Sequence, residues 1–210
     1  MPQARATYRA NRHSTADAGS ETTADRERSD ENHVRAELVR LAFASRLPLI
    51  VNVVNSGVVA AVVYGSVSTA VVLGWLALMW AVALARYGMV RAFRRSDVQH
   101  SEMARWGRRL ALGAGATGFL WGIAAIVVID GEHELLHAFI AFVVAGMTAG
   151  ALMVSASYLP AFCAFAIPAT VLLAVAFIAA GDGPHYVMAG MTMLFLALSI
   201  AIAKKWNANI

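Results

Sequence analysis

Charge is scarce in this sequence, and cysteine is almost absent. Only 14% of the residues are Asp, Glu, Lys or Arg, against ~25% in an average soluble domain. Together with 59% apolar residues and a mean hydropathy of +0.61, that scarcity argues against both a disordered chain and a water-soluble globule. The single cysteine, Cys163, excludes an internal disulfide framework, and no CxxC or Cys/His pairing offers a zinc-finger pattern. The middles of the long apolar runs contain no Asp, Glu, Lys, Arg or His. What remains, over 210 residues and 22.3 kDa, has the composition of a membrane protein.

The polar residues are concentrated at the start. Residues 1–33 mix Arg5, Arg9, Arg12, Arg26 and Arg28 with Asp17, Glu21, Asp25, Glu27, Asp30 and Glu31, and large apolar side chains are nearly missing. Such a segment buries too little surface to offset its conformational entropy, so a disordered tail is expected. It is not expected to be a signal peptide, because no apolar stretch follows a basic start. Over residues 34–46 the pattern changes. Val34, Leu38 and Leu41 recur at helical spacing among Arg35, Glu37 and Arg40, which predicts a short amphipathic helix at the membrane surface or continuous with the first span.

Six apolar runs follow within residues 47–203: Leu47–Val63, Val67–Ala85, Leu110–Ile129, Ala138–Ser157, Leu159–Ala180 and Tyr186–Ala203. A bilayer core takes roughly 17–25 such residues per helix. Continuous rather than alternating runs favour helices over a barrel, since lipid leaves every backbone group to be satisfied internally. The expected fold is therefore all-α, an integral membrane bundle of six transmembrane helices. Residues 204–210 read as the start of a cytoplasmic helix.

The basic residues give an orientation. Eight of the 17 precede the first run, seven lie between Arg86 and Arg109, and Lys204 and Lys205 follow the last run. The other set of connections holds Asp130, Glu132, Glu134 and Asp182, without a Lys or Arg. The positive-inside rule then places both termini in the cytoplasm. The pI of about 9.6 reflects that bias and contact with anionic lipid, not nucleic acid, for which no basic reader domain is present. Arg91, Arg94, Arg95 and Gln99 read as a helical extension of span two, a solvated face against lipid headgroups rather than a docking surface.

Small residues mark the packing faces. Gly118 and Gly122 form a GxxxG in span three, and Gly146 and Gly150 form another in span four. Such faces let backbones approach closely, so spans three and four are expected to pack on each other, with homodimerisation through one face as the alternative. Asn52 and Asn55 share one face of span one and are read as interhelical glue ahead of a ligand site. Pro168, inside span five, is expected to kink it. Trp75, Trp80 and Trp121 are read as packing residues, and Trp206 as an interfacial anchor.

One motif suggests chemistry. His133-Glu134-Leu135-Leu136-His137 is a literal HExxH, which on a helix can place two imidazoles on one zinc and a carboxylate beside its water. Asp130, Glu132, Asp182 and His185 lie on the same membrane side as further ligands. The site-2 type of membrane protease, however, buries this motif in a span and adds a later LDG-type motif. Here the nearest candidate is Gly181-Asp182-Gly183, with no leucine before it. The preferred reading is carboxylates at the positive end of a helix and histidines at the membrane interface. No catalytic residue is assigned, and zinc at His133, His137, Glu134, Asp130 and His185 stands as the alternative.

The order of motifs resembles a known arrangement. Gly118-Phe-Leu-Trp121-Gly122 is followed by Ala145-Gly146-Met-Thr-Ala-Gly150, Tyr158-Leu-Pro160-Ala-Phe162, Pro168, Gly181-Asp-Gly-Pro184 and Lys204-Lys205-Trp-Asn207. Over roughly residues 35–210 this is similar to the N-terminal six-helix membrane region of bacterial diguanylate cyclases (GGDEF/EAL) and histidine kinases. The resemblance implies a sensory input module in the bacterial inner membrane, working as a homodimer and joined through its last helix to a cytoplasmic output domain. No GGDEF, EAL or kinase motif lies within these residues, so the chain is expected to be the input part alone and not itself an enzyme. A small transporter or channel is the alternative. The lack of an ionisable residue within the runs speaks against it.

Overall fold

The computed structural model describes residues 47–95, 102–130, 133–155 and 158–208. The polar segment 1–33, the segment 34–46 and Gln99 lie outside the described residues. Among the described residues six helices follow one another: α1 (Leu47–Val63), α2 (Thr69–Arg95), α3 (Met103–Ile129), α4 (Glu134–Ser155), α5 (Leu159–Ala180) and α6 (Gly183–Ala208). Among the described residues there is no strand. The chain is all-α, with five helices long and apolar enough to cross a membrane and a sixth, α1, of 17 residues. At ~1.5 Å per residue α1 spans about 26 Å, slightly less than the ~30 Å hydrocarbon core.

Two helices form the centre. Buried residues make up 50% of the most apolar stretch of α3 and 56% of that of α5, against 22% for α2, α4 and α6. The outer helices turn side chains such as Leu84, Leu135, Phe142 and Met153 outward, as a lipid-facing surface requires. Between apolar helices in lipid the attraction comes from close packing rather than from water exclusion, and the α3–α5 seam is where packing is closest. A Cβ on Gly118 would overlap the Phe165 carbonyl, and one on Gly122 would lie 2.9 Å from the Pro168 carbonyl oxygen. One on Gly115 would lie 3.4 Å from the Ala164 carbonyl oxygen, the acceptor that Pro168, having no N–H, leaves without its helical donor. Helix α5 runs through Pro168 without ending there.

The glycine faces therefore do not pair as expected. The Gly118/Gly122 face of α3 is covered by α5, not by α4. At Gly146 and Gly150 a Cβ would meet nothing within 4 Å. The physical reason is that sequence neighbours have no claim on a small-residue groove. The helix that fits it is α5, whose Ala164, Phe165 and Pro168 bring backbone oxygens to its edge.

Span two extends as a helix through Arg91, Arg94 and Arg95, as the sequence leads one to expect, and span three begins before its apolar run. Helix α2 continues to Arg95 and α3 begins at Met103, so Arg86 belongs to a helix and not to a connection. Tryptophans of α2 tie it to the central helix α3 and to its neighbour α1. Trp75 Nε1 on α2 donates to the Leu120 carbonyl of α3 at 2.8 Å, and Trp80 Nε1 donates to Ser56 Oγ on α1 at 3.3 Å. The Trp75 and Trp121 rings meet edge to face with centroids 5.5 Å apart.

Candidate functional site

Polar side chains gather at two places in the bundle. The first is where α5 turns into α6. Gly181 closes α5 in the left-handed conformation, φ +80°, and reverses the chain. Asp182 then caps α6: its Oδ1 accepts the backbone N–H of His185 at 2.9 Å, while its carbonyl accepts the Tyr186 N–H. The same Oδ1 lies 2.6 Å from His185 Nδ1. The His185 ring points into the bundle, and its Nε2 lies 3.0 Å from His137 Nδ1 on α4. Both rings are buried, and Phe177 of α5 lies 5.6 Å from the His185 centroid.

This is an Asp–His–His chain with definite proton bookkeeping. A carboxylate accepts, so His185 Nδ1 carries the hydrogen facing Asp182. If His185 is neutral, its Nε2 is an acceptor and His137 donates. If His185 is protonated, its Nε2 donates and His137 accepts. A proton on both rings sets two donors face to face and breaks the contact. The Asp182 carboxyl is held below its usual range, first by the His185 backbone N–H and then by the His185 side chain. Asp130 at the end of α3 and Glu134 at the start of α4 line the same cavity, of about 380 Å³, with His137, Asp182 and His185.

The HExxH reading changes here. His133 precedes α4 and is exposed, whereas His137 lies in the helix. The two histidines therefore do not form an i, i+4 pair on one helix, and the partner of His137 is His185, 48 positions away. Among the described residues no three His, Cys, Asp or Glu side chains converge on one metal position. Of His133, His137, Glu134, Asp130 and His185, the structure brings His137 and His185 into direct contact. Glu132 lies outside the described residues.

The second gathering lies toward the other end. Asn52 Oδ1, buried in α1, accepts the Trp121 Nε1 hydrogen at 2.9 Å. Asn55 Nδ2 points at Met147 Sδ of α4, 3.1 Å away. Arg86 folds inward from α2, and its Nη1 donates to Thr117 Oγ1 at 3.1 Å. Between these groups lies a cavity of about 180 Å³, walled otherwise by apolar side chains and by the open Gly146/Gly150 face. Arg86 went unread in the sequence because it begins a cluster of arginines. A signal was present: Met89, Val90 and Phe93 keep apolar helical spacing beyond it.

The arrangement defines an all-α chain of multi-pass membrane character with two internal polar sites. No family model, curated protein or solved structure matches it.

Proposed function

We propose that this chain is a membrane-embedded sensory or regulatory module, the input half of a signal-transduction protein of the cyclic-di-GMP or two-component type. The supporting observation is the Asp182–His185–His137 chain. It joins the first turn of α6 to α4, and α6 is the helix that runs on through Lys204, Lys205 and Trp206. Breaking or remaking that contact changes what holds α6 to α4. The connections Tyr64–Ser68 and Gly181–Asp182 leave little chain for a separate sensor domain, so the stimulus acts on the bundle itself. In this reading both termini face the cytoplasm of a bacterial cell, the bundle sits in the inner membrane as a homodimer, and α6 passes the signal to an output domain.

The test is a fusion of Met1–Ile210 to a diguanylate cyclase catalytic domain. Cyclase output should depend on the membrane module, and His185→Gln, which breaks the contact to His137, should change that output while leaving the protein in the membrane. Output identical with and without the membrane module would defeat the reading. A transporter is the second reading, favoured by Arg86 inside a helix beside a cavity, because ionisable groups within spans mark solute and ion paths. Solute flux in proteoliposomes, absent from protein-free vesicles, would support it.

A further inference from the structure

Arg86 is a cation turned into the bundle with no carboxylate in contact with it among the described residues. Its aliphatic stem crosses Gly113, where a Cβ would lie 3.0 Å from Arg86 Cγ, so a side chain at Gly113 would crowd it. Its hydrogen-bond partner among the described residues is Thr117, a neutral hydroxyl that spends its own hydrogen on the Gly113 carbonyl at 2.9 Å. Among the described residues the only acid–base pair in contact is Asp182 with His185. A guanidinium has five N–H donors, is not deprotonated in proteins, and is costly to hold in a membrane interior without an anion. Arg86 borders a cavity lined by five helices.

The rest of the cavity suits an anion with an apolar body. Asn55 Nδ2 faces the Met147 thioether, a weak acceptor that a carboxylate oxygen would outdo. Leu47, Val51, Ala114 and Phe165 supply apolar wall. The size, about 180 Å³, is slightly above the ~150 Å³ of an engineered cavity that holds benzene. One guanidinium and no second cation match a single negative charge, which favours a carboxylate over a doubly charged phosphate. A planar carboxylate also meets the guanidinium fork with two parallel hydrogen bonds.

We propose that the cavity between α1, α2, α3, α4 and α5 is a binding site for a small apolar monocarboxylate, with Arg86 pairing its carboxylate, Asn55 donating a further hydrogen bond, and the open Gly146/Gly150 face leaving room for its body.

The test uses the full chain in phosphatidylcholine nanodiscs and isothermal titration calorimetry, with benzoate and hexanoate as probes and benzyl alcohol and hexanol as uncharged counterparts. At least one carboxylate should bind saturably, at least tenfold more tightly than its alcohol. Arg86→Gln should weaken that binding at least tenfold. Because loss of Arg86 could disturb the bundle, a second variant fills the cavity from the opposite wall. Gly146→Leu enters open space, should leave thermal unfolding near that of the parent, and should abolish binding. The proposal is overturned if neither carboxylate binds saturably, if the alcohols bind as well as the acids, or if a folded Arg86→Gln or Gly146→Leu protein binds as the parent does.

Discussion

Trp121 Nε1 donates to Asn52 Oδ1 at 2.9 Å, and the two residues are 0% and 2% exposed. The bond joins α1, the shortest helix, to the central helix α3. Among apolar helices such a polar link also sets which face of α1 turns inward.

Asn52→Leu should cost about 1–2 kcal/mol, since the indole N–H is then buried without an acceptor. Pairing it with Trp121→Phe removes both partners, so the double variant should lose less than the sum of the singles. Unfolding in mixed detergent micelles, taken through the four-protein cycle, measures the difference.

The two GxxxG faces should answer differently to a methyl group. Gly118→Ala forces a Cβ into the Phe165 carbonyl and should destabilise by about 1–3 kcal/mol, as overpacked seams do. Gly146→Ala and Gly150→Ala add a methyl where nothing lies within 4 Å and should change stability by less than about 0.5 kcal/mol. Thermal unfolding of the three variants decides it, and equal losses at Gly118 and Gly146 would contradict the α3–α5 seam.

Asp182 gives a pH dependence of definite sign. Its carboxyl is held below its ordinary value of 3.8 by the His185 backbone and side-chain hydrogen bonds. A depressed folded value means that the ionised cap stabilises the folded state above the unfolded value. That stabilisation is lost as pH falls from about 3.8 through the lower folded value. Asp182→Asn should flatten this acid limb of a stability–pH profile. An unchanged slope would show that the cap does not carry it.

Orientation can be read with thiol reagents. With Cys163 replaced by serine, cysteine at Tyr64, which is exposed in the α1–α2 turn, should react with an impermeant maleimide in intact cells. Cysteine at Lys205 should react only after permeabilisation. The reverse pattern would invert the arrangement expected from the arginines.

The sequence by itself determined the helical kind of the described elements. Long uncharged apolar runs can satisfy their backbone only as helices in lipid, and α1 and α5 end where the runs Leu47–Val63 and Leu159–Ala180 end. The ends of α2 and α3 were less legible, because a helix leaving the bilayer continues through charged residues. Partner choice was decided only in three dimensions. A GxxxG states that a groove exists, not what fills it, and in lipid the helix-facing and lipid-facing sides are equally apolar. Gly118 thus meets Phe165 while Gly146 meets open space. His137 finds His185 rather than His133 because helix entry after His133 and the capping turn at Asp182 set the directions of the rings. Arg86 turns inward because Gly113 leaves room for its stem and Thr117 offers an acceptor one turn further along α3.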